Sequence, residues 1–424
     1  VINVYFVPID PRKPEVSRPA TSSLAATKEA ITNAQNVATG PNGKISANFL
    51  TSKVDVRDNY DSPAQAKAKL EMYVQKDGET TRTKVVTDNN EDTDAISTIV
   101  RNAEQGNGTS YYKVIAKTTD RSGNVSDEAV VGWFKVEEKG KPTVKLVQNN
   151  QDTILSDSTP ETSVPKVTVY RGEKAEITVK ASDNTGKLSS FTTSGLPTGV
   201  TETGARSSDS ATDATPLSHT LSGKVATDTT LGDKVLTVVA SDKTTPTNTT
   251  TVKFKLDVKA QNEKYNPTAG TTPVVVNNIG SISNSDLEKI KNSVTIPNLS
   301  QEARDGGVTT SIKNSGTVTT NNGKKYVTVE VTYPDTSKDE VLVEVSQNHT
   351  VVKQPVINLV QGETLTEAEL KQVVKLQDGN STIDLPSDAQ VTAQFDSTTA
   401  GDNKRLTATV RFADTTTKTV ELTY

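Results

Sequence analysis

Apolar and polar residues alternate along much of this chain, and that pattern constrains its fold more than any other feature. Every second residue is apolar from Lys253 to Val258, and the segment from Tyr326 to Tyr333 has the same rhythm. Alternation with a period of two indicates β-strands that bury one face and leave the other in water. Threonine is frequent at the polar positions, where its β-branched side chain suits a strand. The sequence therefore predicts a mainly β protein.

Helix signals are few and short. The alanine-rich segment 22–38 predicts one helix. Ser285–Glu288 and Thr366–Glu369 both have the pattern of a capping box, in which the first side chain and the glutamate each bond the other's backbone N–H group. We expect a short helix to follow each of these two segments.

An internal repeat organises the C-terminal half. Asp286–Ile290 corresponds to Glu369–Val373, and Tyr333–Lys338 corresponds to Phe412–Thr417. Both pairs are separated by about 80 residues. The repeat predicts two small α+β modules in tandem, each with a strand, a short helix and a closing hairpin that turns near an aspartate.

A fainter repeat lies in the N-terminal half. Val56–Asn59 is followed by Lys117–Asn124, and Ala181–Asn184 is followed by Val239–Lys243, at a spacing of about 60 residues in both cases. Short strands joined by Asp-rich turns are typical of Ig-like β-sandwiches. We therefore predict Ig-like β-sandwich modules at 1–141 and 142–262, followed by α+β modules at 263–347 and 348–424.

The side-chain inventory argues against an enzyme. The chain has no cysteine, which excludes disulfides, thiolate zinc sites and cysteine nucleophiles. Its two histidines, His219 and His349, cannot form a three-histidine metal site, and we expect both to be solvated rather than catalytic.

Charge and hydropathy exclude further classes of function. The net charge is −5, and no basic stripe with interleaved aromatic residues occurs, so we expect no nucleic-acid partner. No apolar run is long enough to span a membrane, so we expect no membrane insertion. The chain begins at Val1 without a methionine and ends at Tyr424 within an alternating segment, which favours a fragment of a longer protein. We expect this fragment to be monomeric.

Three segments of the second module carry a family resemblance. They are the strand Val169–Glu173, the turn Asp228–Asp233 and the strand Lys234–Asp242 that follows it. Together they resemble the Siglec-like domain of streptococcal serine-rich-repeat adhesins. In the third module, Val274–Asn278 and the hairpin at Tyr333–Asp335 resemble the small "unique" domain that follows it in those adhesins, and also the Rib-type repeats of Gram-positive surface proteins.

The resemblance implies a function without catalysis. It implies an extracellular, cell-wall-anchored adhesin that binds a host or salivary glycoprotein or glycan. The alternative is a stalk that projects another binding domain from the cell wall. Tandem repetition favours a stalk for residues 265–424, and the polar excursion at 207–218 favours binding for residues 142–260.

The resemblance also points to candidate ligand-binding residues. In this family an aromatic-Thr-Arg stretch on the strand after the Gly-Asp turn holds sialic acid. Here that strand carries Leu236 in place of the arginine, and Lys234 offers only a point charge, so the usual mode of sialic acid recognition is not expected. The candidate ligand-binding residues are Lys234, Thr237, Ser207, Ser208, Ser210 and Ser218.

A candidate calcium site lies in the first module. Asp58, Asp61 and Asp120 belong to turns that could meet at one end of a sandwich, and calcium prefers such oxygen ligands. The alternative is that these aspartates only stabilise their own turns through side-chain to backbone hydrogen bonds. We expect no other cofactor.

Overall fold

Four successive clusters of buried apolar side chains organise the chain. The computed structural model describes residues 10–31, 50–354, 364–395 and 404–424. Within them, the clusters extend from Leu24 to Val136, from Val144 to Val258, from Tyr265 to Val345 and from Leu370 to Leu422. The predicted module boundaries fall between the clusters. No helix in the described ranges is long and apolar enough to cross a membrane.

The first module combines a five-stranded antiparallel sheet with helices. Its elements are β1 (Glu15–Ser17), β2 (Asp55–Arg57), α1 (Pro63–Lys67), β3 (Glu71–Lys76), β4 (Arg82–Thr87), β5 (Asn90–Glu91), α2 (Thr93–Glu104), β6 (Ser110–Lys117) and β7 (Ala129–Val136). The large sheet has the order β5-β4-β3-β6-β7, and β1 and β2 form a separate pair. Helix α2 was not predicted, although Asp92 caps it and Ile96, Val100 and Ala103 form its buried face.

The helix predicted over 22–38 is wrong for its described part, and residues 32–38 lie outside the described residues. Residues 22–31 form turns and one β-bridge, in which Ala25 and Trp133 exchange backbone hydrogen bonds of 3.0 and 2.8 Å. The side chain of Leu24 is buried against Gly132 on the edge strand β7. Burial and these two bonds therefore override the helix propensity of the alanines.

The second module is a β-sandwich. Its strands are β8 (Thr143–Gln148), β9 (Gln151–Leu155), β10 (Lys166–Tyr170), β11 (Lys174–Ser182), β12 (Leu188–Ser194), β13 (Thr201–Thr203), β14 (Leu217–Lys224), β15 (Gly232–Asp242) and β16 (Thr249–Lys259). One sheet has the order β10-β16-β15-β12 and the other β13-β14-β11-β8-β9. Phe191 and Phe254 from the first sheet and Val179 and Leu221 from the second are buried in one cluster. All pairs are antiparallel except β10 with β16.

The third module is the small α+β unit that the repeat predicted. Its elements are β17 (Thr268–Ala269), β18 (Val274–Val276), α3 (Asn284–Asn292), β19 (Val294–Thr295), α4 (Gln301–Gly306), β20 (Thr309–Ile312), β21 (Thr319–Asn321), β22 (Lys324–Thr332) and β23 (Lys338–Gln347). The main sheet has the order β18-β23-β22-β20, and the first strand, β18, runs parallel to the last, β23. Helix α3 buries Ile290 in the core of this module.

The fourth module has two three-stranded sheets and one helix in its described part. The elements are β24 (Val351–Lys353), α5 (Glu367–Val373), β25 (Val374–Asp378), β26 (Ser381–Ile383), β27 (Gln390–Phe395), β28 (Arg405–Arg411) and β29 (Thr417–Thr423). The sheets have the orders β24-β25-β26 and β27-β28-β29. Leu370 of α5 is buried with Leu406 and Val410 of β28.

The closing turns of the third and fourth modules share one geometry. In Tyr333–Ser337 and in Phe412–Thr416, the first residue donates its backbone N–H to the carbonyl of the fifth at 2.9 Å. The fourth residue, Thr336 or Thr415, has a φ of 71° in both turns. A β-branched residue is rare in this left-handed region, so the shared strain supports a structural repeat.

One of the two predicted capping boxes is confirmed, and the other is wrong. Thr366 caps α5, and its backbone N–H donates to Glu369 at 2.8 Å. Helix α3 instead begins at Asn284, where Ser283 accepts a hydrogen bond of 3.2 Å from the backbone N–H of Asp286. Ser285 therefore lies inside the first turn of α3.

Candidate functional site

The position on β15 that the resemblance assigns to the ligand-binding arginine faces the core of the sandwich and not the solvent. Leu236 is completely buried, together with Val238 and Ala240, so these alternate residues face the core. Val235, Thr237 and Val239 face outward between them because successive strand residues point to opposite sides. Leu236, which takes the place of the family's arginine, therefore cannot contact a ligand.

Lys234 and Thr237 do not share a surface. They are three positions apart on β15, which places their side chains on opposite faces of the sheet. Lys234 lies on the core side near the end of the sandwich, and Thr237 lies on the outer side.

The predicted serines lie elsewhere. Ser208 exchanges backbone hydrogen bonds of 2.8 and 3.0 Å with Leu188, and Leu188 pairs with Asp242 at the far end of β15. At the usual rise of a strand, Asp242 is about 26 Å from Lys234. Ser207 and Ser210 flank Ser208, so all three lie at the opposite end of the strand from Lys234.

Ser218 lies on the other sheet of the sandwich. It is exposed on β14 and pairs with Lys180 of β11. The six candidate residues therefore do not form one site. Thr237 is the candidate that lies among other outward-facing polar side chains.

Thr237 is the centre of a polar row that crosses three strands. Ser194 of the edge strand β12 and Lys253 of β16 are its direct cross-strand partners, so the three side chains share the outer face. In the next row, Val235 lies between the edge of the sheet and Lys255, and Lys255 is beside Lys166 of β10. We call the surface formed by Ser194, Thr237, Lys166, Lys253 and Lys255 the lysine face.

The lysines of this face are held by two acidic residues. Asp233 accepts from Lys166 at 2.9 Å and from Lys255 at 3.4 Å, and Glu161 accepts from Lys253 at 2.7 Å. The hydrogen bond from Lys166 lowers the pKa of Asp233, and the bond from Lys253 lowers the pKa of Glu161.

The alternation Lys253-x-Lys255 indicates that these two lysines share one face of a strand. The sequence alone does not show which strands lie beside that strand.

His219 is structural, and the expectation that it is solvated is wrong. Its side chain is 1% exposed and stacks on Phe191 at 4.2 Å between ring centroids. Its Nδ1 lies 2.8 Å from a carboxylate oxygen of Glu202, and its Nε2 lies 2.6 Å from the carbonyl oxygen of Ala205. His349, in contrast, is partly exposed and bonds Asp414 at 2.7 Å.

The acidic residues of the first module group differently from the prediction. One carboxylate oxygen each from Asp10, Asp58 and Asp120 lies within 4.8 Å of the other two. Asp61 instead accepts from the guanidinium Nε of Arg121 at 2.6 Å and from its backbone N–H at 3.0 Å. The backbone bond, followed by the side-chain bond, lowers the pKa of Asp61. The sequence did not predict Asp10 as a member of this group, because no local pattern relates it to turns that lie so much later in the chain.

Buried polar groups join the modules. Glu173, which is 2% exposed, accepts hydrogen bonds from Gln261 at 3.0 Å, Lys264 at 2.9 Å and Tyr265 at 2.5 Å. Burial by itself would raise the pKa of Glu173, but the hydrogen bonds that its carboxylate accepts lower it overall. These contacts fasten the second module to the third.

Two further junctions are built in a similar way. Between the first and second modules, buried Glu138 accepts from Asn184 at 2.9 Å and from Asn248 at 3.0 Å. Burial raises the pKa of Glu138, and the nearby charges of Asp183 and Asp242 add to that effect. Between the third and fourth modules, the side-chain amide of buried Asn348 donates to Asn277 at 2.9 Å and to the carbonyl of Gln377 at 2.8 Å.

Comparison with known families now assigns the two central modules. Residues 155–264 match the family model of the GspA/SrpA SigLec-like domain, and residues 261–349 match that of the Rib domain. The second module is a Siglec-like domain. The third is a Rib domain. Both are non-catalytic binding families, and the Siglec-like family occurs in surface adhesins of Gram-positive bacteria.

Several solved structures of Siglec-like adhesins are similar to this chain. The SrpA adhesin from Streptococcus sanguinis is 23% identical with a TM-score of 0.33, and the match covers 44% of this chain and 93% of that one. The sialic acid binding region of the Streptococcus sanguinis SK1 adhesin, bound to 3'sLn, is 18% identical with a TM-score of 0.37, covering 67% of this chain and 76% of that one. No curated protein sequence matches the chain.

Proposed function

We propose that this chain belongs to a bacterial surface adhesin and that its Siglec-like domain binds a host or salivary glycan or glycoprotein through the lysine face. The observation that carries the proposal is the row formed by Ser194, Thr237 and Lys253 on the outer face of one sheet, in a domain that matches an adhesin family. Binding is non-covalent. The ligand class is an anionic glycan such as a sialylated one.

The chemistry of the face suits such a ligand. An ammonium group attracts the carboxylate of an acidic sugar, and the hydroxyls of Ser194 and Thr237 can donate to or accept from sugar hydroxyls. Val235 and Val239 lie on the same outer face and offer apolar contact to the C–H groups of a sugar ring. Because Lys253 and Lys255 must exchange their acidic partners for the ligand, we expect modest affinity.

Glycan binding by the whole chain tests this proposal. A sialylated glycan and its desialylated counterpart would be compared by calorimetry, first with the natural chain. Lys253→Ala and Thr237→Val should each weaken binding of the sialylated glycan about tenfold, the effect of about 1.4 kcal/mol. Lys180→Ala is the matched control, because Lys180 is a similarly paired lysine on the outer face of the other sheet.

The outcomes separate the alternatives. Absence of binding to any sialylated or neutral glycan would contradict the lectin function. Loss of binding in Lys234→Ala or after excision of residues 207–218, with Lys253→Ala unaffected, would move the site to the residues that the sequence suggested. We further propose that the chain is monomeric, extracellular and anchored to the cell wall through regions outside it.

A stalk is the second candidate function, and the junctions between modules favour it. Buried Glu138, Glu173 and Asn348 each bond a partner across a module boundary, so they restrict bending at that boundary. Small-angle scattering of the whole chain would test it. A rod of constant length supports a stalk, and a broad distribution of lengths contradicts it.

A further inference from the structure

We propose that Asp10, Asp58 and Asp120 form a calcium site in the first module, independent of the glycan site. An oxygen from each of the three carboxylates lies within 4.8 Å of the other two. Asp10 and Asp120 are buried and Asp58 is partly buried. Three like charges so close together, two of them shielded from water, repel one another unless a cation neutralises them.

Two oxygens of the cluster lack a hydrogen-bond partner. Asp10 is 4% exposed, and its Oδ1 accepts from the backbone N–H of Arg12 at 3.0 Å, whereas its buried Oδ2 has no partner. Asp58 repeats this arrangement, because its Oδ1 accepts from the backbone N–H groups of Tyr60 and Asp61 while its buried Oδ2 has none. Leaving buried carboxylate oxygens unsatisfied is costly, so these two atoms point to a ligand.

The third carboxylate is oriented by its own turn. Asp120 is 5% exposed, and its two oxygens accept from the backbone N–H of Asn124 at 2.7 Å and from its side-chain amide at 2.8 Å. Each oxygen keeps a further lone pair for a cation. The same Asn124 amide donates to the carbonyl of Asp10 at 2.7 Å, which holds the two acidic residues together. The arginine of this turn, Arg121, forms its ion pair with Asp61 and not with one of the three clustered aspartates.

The ligand atoms of this cluster are carboxylate oxygens, which favour a hard divalent cation with variable coordination geometry. Calcium takes six to eight oxygen ligands in variable geometry, whereas magnesium demands a near-ideal octahedron. Carboxylates that each provide one or two oxygens, together with water molecules, can fill the coordination shell of calcium. The three ligands come from the N-terminal segment, the turn after β2 and the turn after β6. A bound cation therefore fastens the N-terminal segment to the body of the module.

Calcium alone is the probe for the test. The whole chain would be treated with chelator and titrated with CaCl₂ in a calorimeter, and its thermal unfolding would be followed with and without calcium. We expect one site, with a Kd of about 10⁻⁴ to 10⁻³ M as in other extracellular modules. At about ten times that concentration the midpoint of the first module should rise by about 4 °C, with a smaller rise in magnesium.

Variants identify the ligands. Asp10→Asn and Asp120→Asn should abolish both the calorimetric signal and the thermal shift. Asp61→Asn should retain both, because Asp61 is bound to Arg121, and so should Asp127→Asn, an exposed acidic residue nearby that pairs with Lys13.

The proposal fails if the natural chain takes up no calcium at millimolar concentration. It also fails if Asp10→Asn and Asp120→Asn, each shown to be folded by circular dichroism, bind calcium as the natural chain does. Loss of binding in Asp61→Asn, with Asp10→Asn unaffected, would return the site to the group predicted from the sequence.

Discussion

Tyr265 of the Rib domain donates its phenolic hydroxyl hydrogen to the carboxylate of Glu173 in the Siglec-like domain, at 2.5 Å. The ring of Tyr265 also stacks on Tyr333, with 5.4 Å between centroids, and so ties the junction to the closing turn of the Rib domain. At that turn, the backbone N–H of Gln261 donates to Asp335 at 2.8 Å. The junction is therefore a continuous network and not a flexible linker.

Replacing Glu173 should loosen this junction. In Glu173→Gln the ion pair with Lys264 is lost and the buried donors of Gln261 and Tyr265 face a weaker acceptor. We expect a loss of about 1–3 kcal/mol in the free energy of unfolding. Chemical denaturation measures it. Glu176→Gln is the control, because Glu176 lies on the adjacent strand β11 with an exposed side chain and should change stability by less than about 0.5 kcal/mol.

Lowering the pH should change the stability of the junctions at Glu138 and at Glu173 in opposite directions. The pKa of Glu138 is raised from its ordinary value of 4.5, so the folded state binds this proton more tightly than the unfolded state. Its contribution to stability is full below the unfolded pKa and is lost as the pH rises through the folded pKa. The pKa of Glu173 is lowered, so its contribution is present above 4.5 and is lost as the pH falls through the folded value.

Thermal unfolding over a range of pH would separate these effects. Lowering the pH from neutral towards 4.5 should stabilise the junction at Glu138, and further acidification should weaken the junction at Glu173. Glu138→Gln should remove the first change and Glu173→Gln the second. An identical pH profile in both variants and the natural chain would contradict this assignment.

Gly132 should tolerate no side chain. A Cβ at this position would lie 2.4 Å from the Cβ of Leu24, which the N-terminal segment packs against β7. Gly132→Ala should therefore displace that segment and cost about 1–3 kcal/mol. Gly270→Ala is a matched control because a Cβ there meets no atom within 4 Å. Limited proteolysis of the N-terminal segment would detect the displacement, and equal resistance in both variants would contradict it.

His219 should matter for stability rather than for binding. His219→Ala removes a ring that stacks on Phe191, and it leaves one carboxylate oxygen of Glu202 and the carbonyl of Ala205 without the histidine that bonds them. A loss of about 2–4 kcal/mol is expected from the cavity and the unpaired acceptors. Ser218→Ala, its exposed neighbour, should have little effect. Differential scanning calorimetry measures both, and a neutral His219→Ala would show that the ring is dispensable.

The strand pattern and the internal repeat were predictable because both depend on local sequence. The alternation around Phe254 and the matching turns at Thr336 and Thr415 follow directly from the residues present. The helix at Thr366 was equally local, since its cap and its glutamate are three residues apart.

The sites were less predictable because they depend on long-range pairing. The position of Ser208 follows from its bridge to Leu188, and the lysine face exists because β10, β12 and β16 surround β15. The role of Asp10 depends on a contact with Asn124 across most of the first module. No spacing rule contains such information.

The parallel pairing of β18 with β23 has a mechanical consequence. These are strands near the entry and the exit of the Rib domain, and Val274 and Val276 pair with Val345 and Gln347. A pull on the two ends of the domain draws the strands in opposite directions along their length. The hydrogen bonds between them are then loaded together in shear, instead of opening one after another as in an unzipped hairpin. The arrangement of these two strands thus favours resistance to tension applied along the chain.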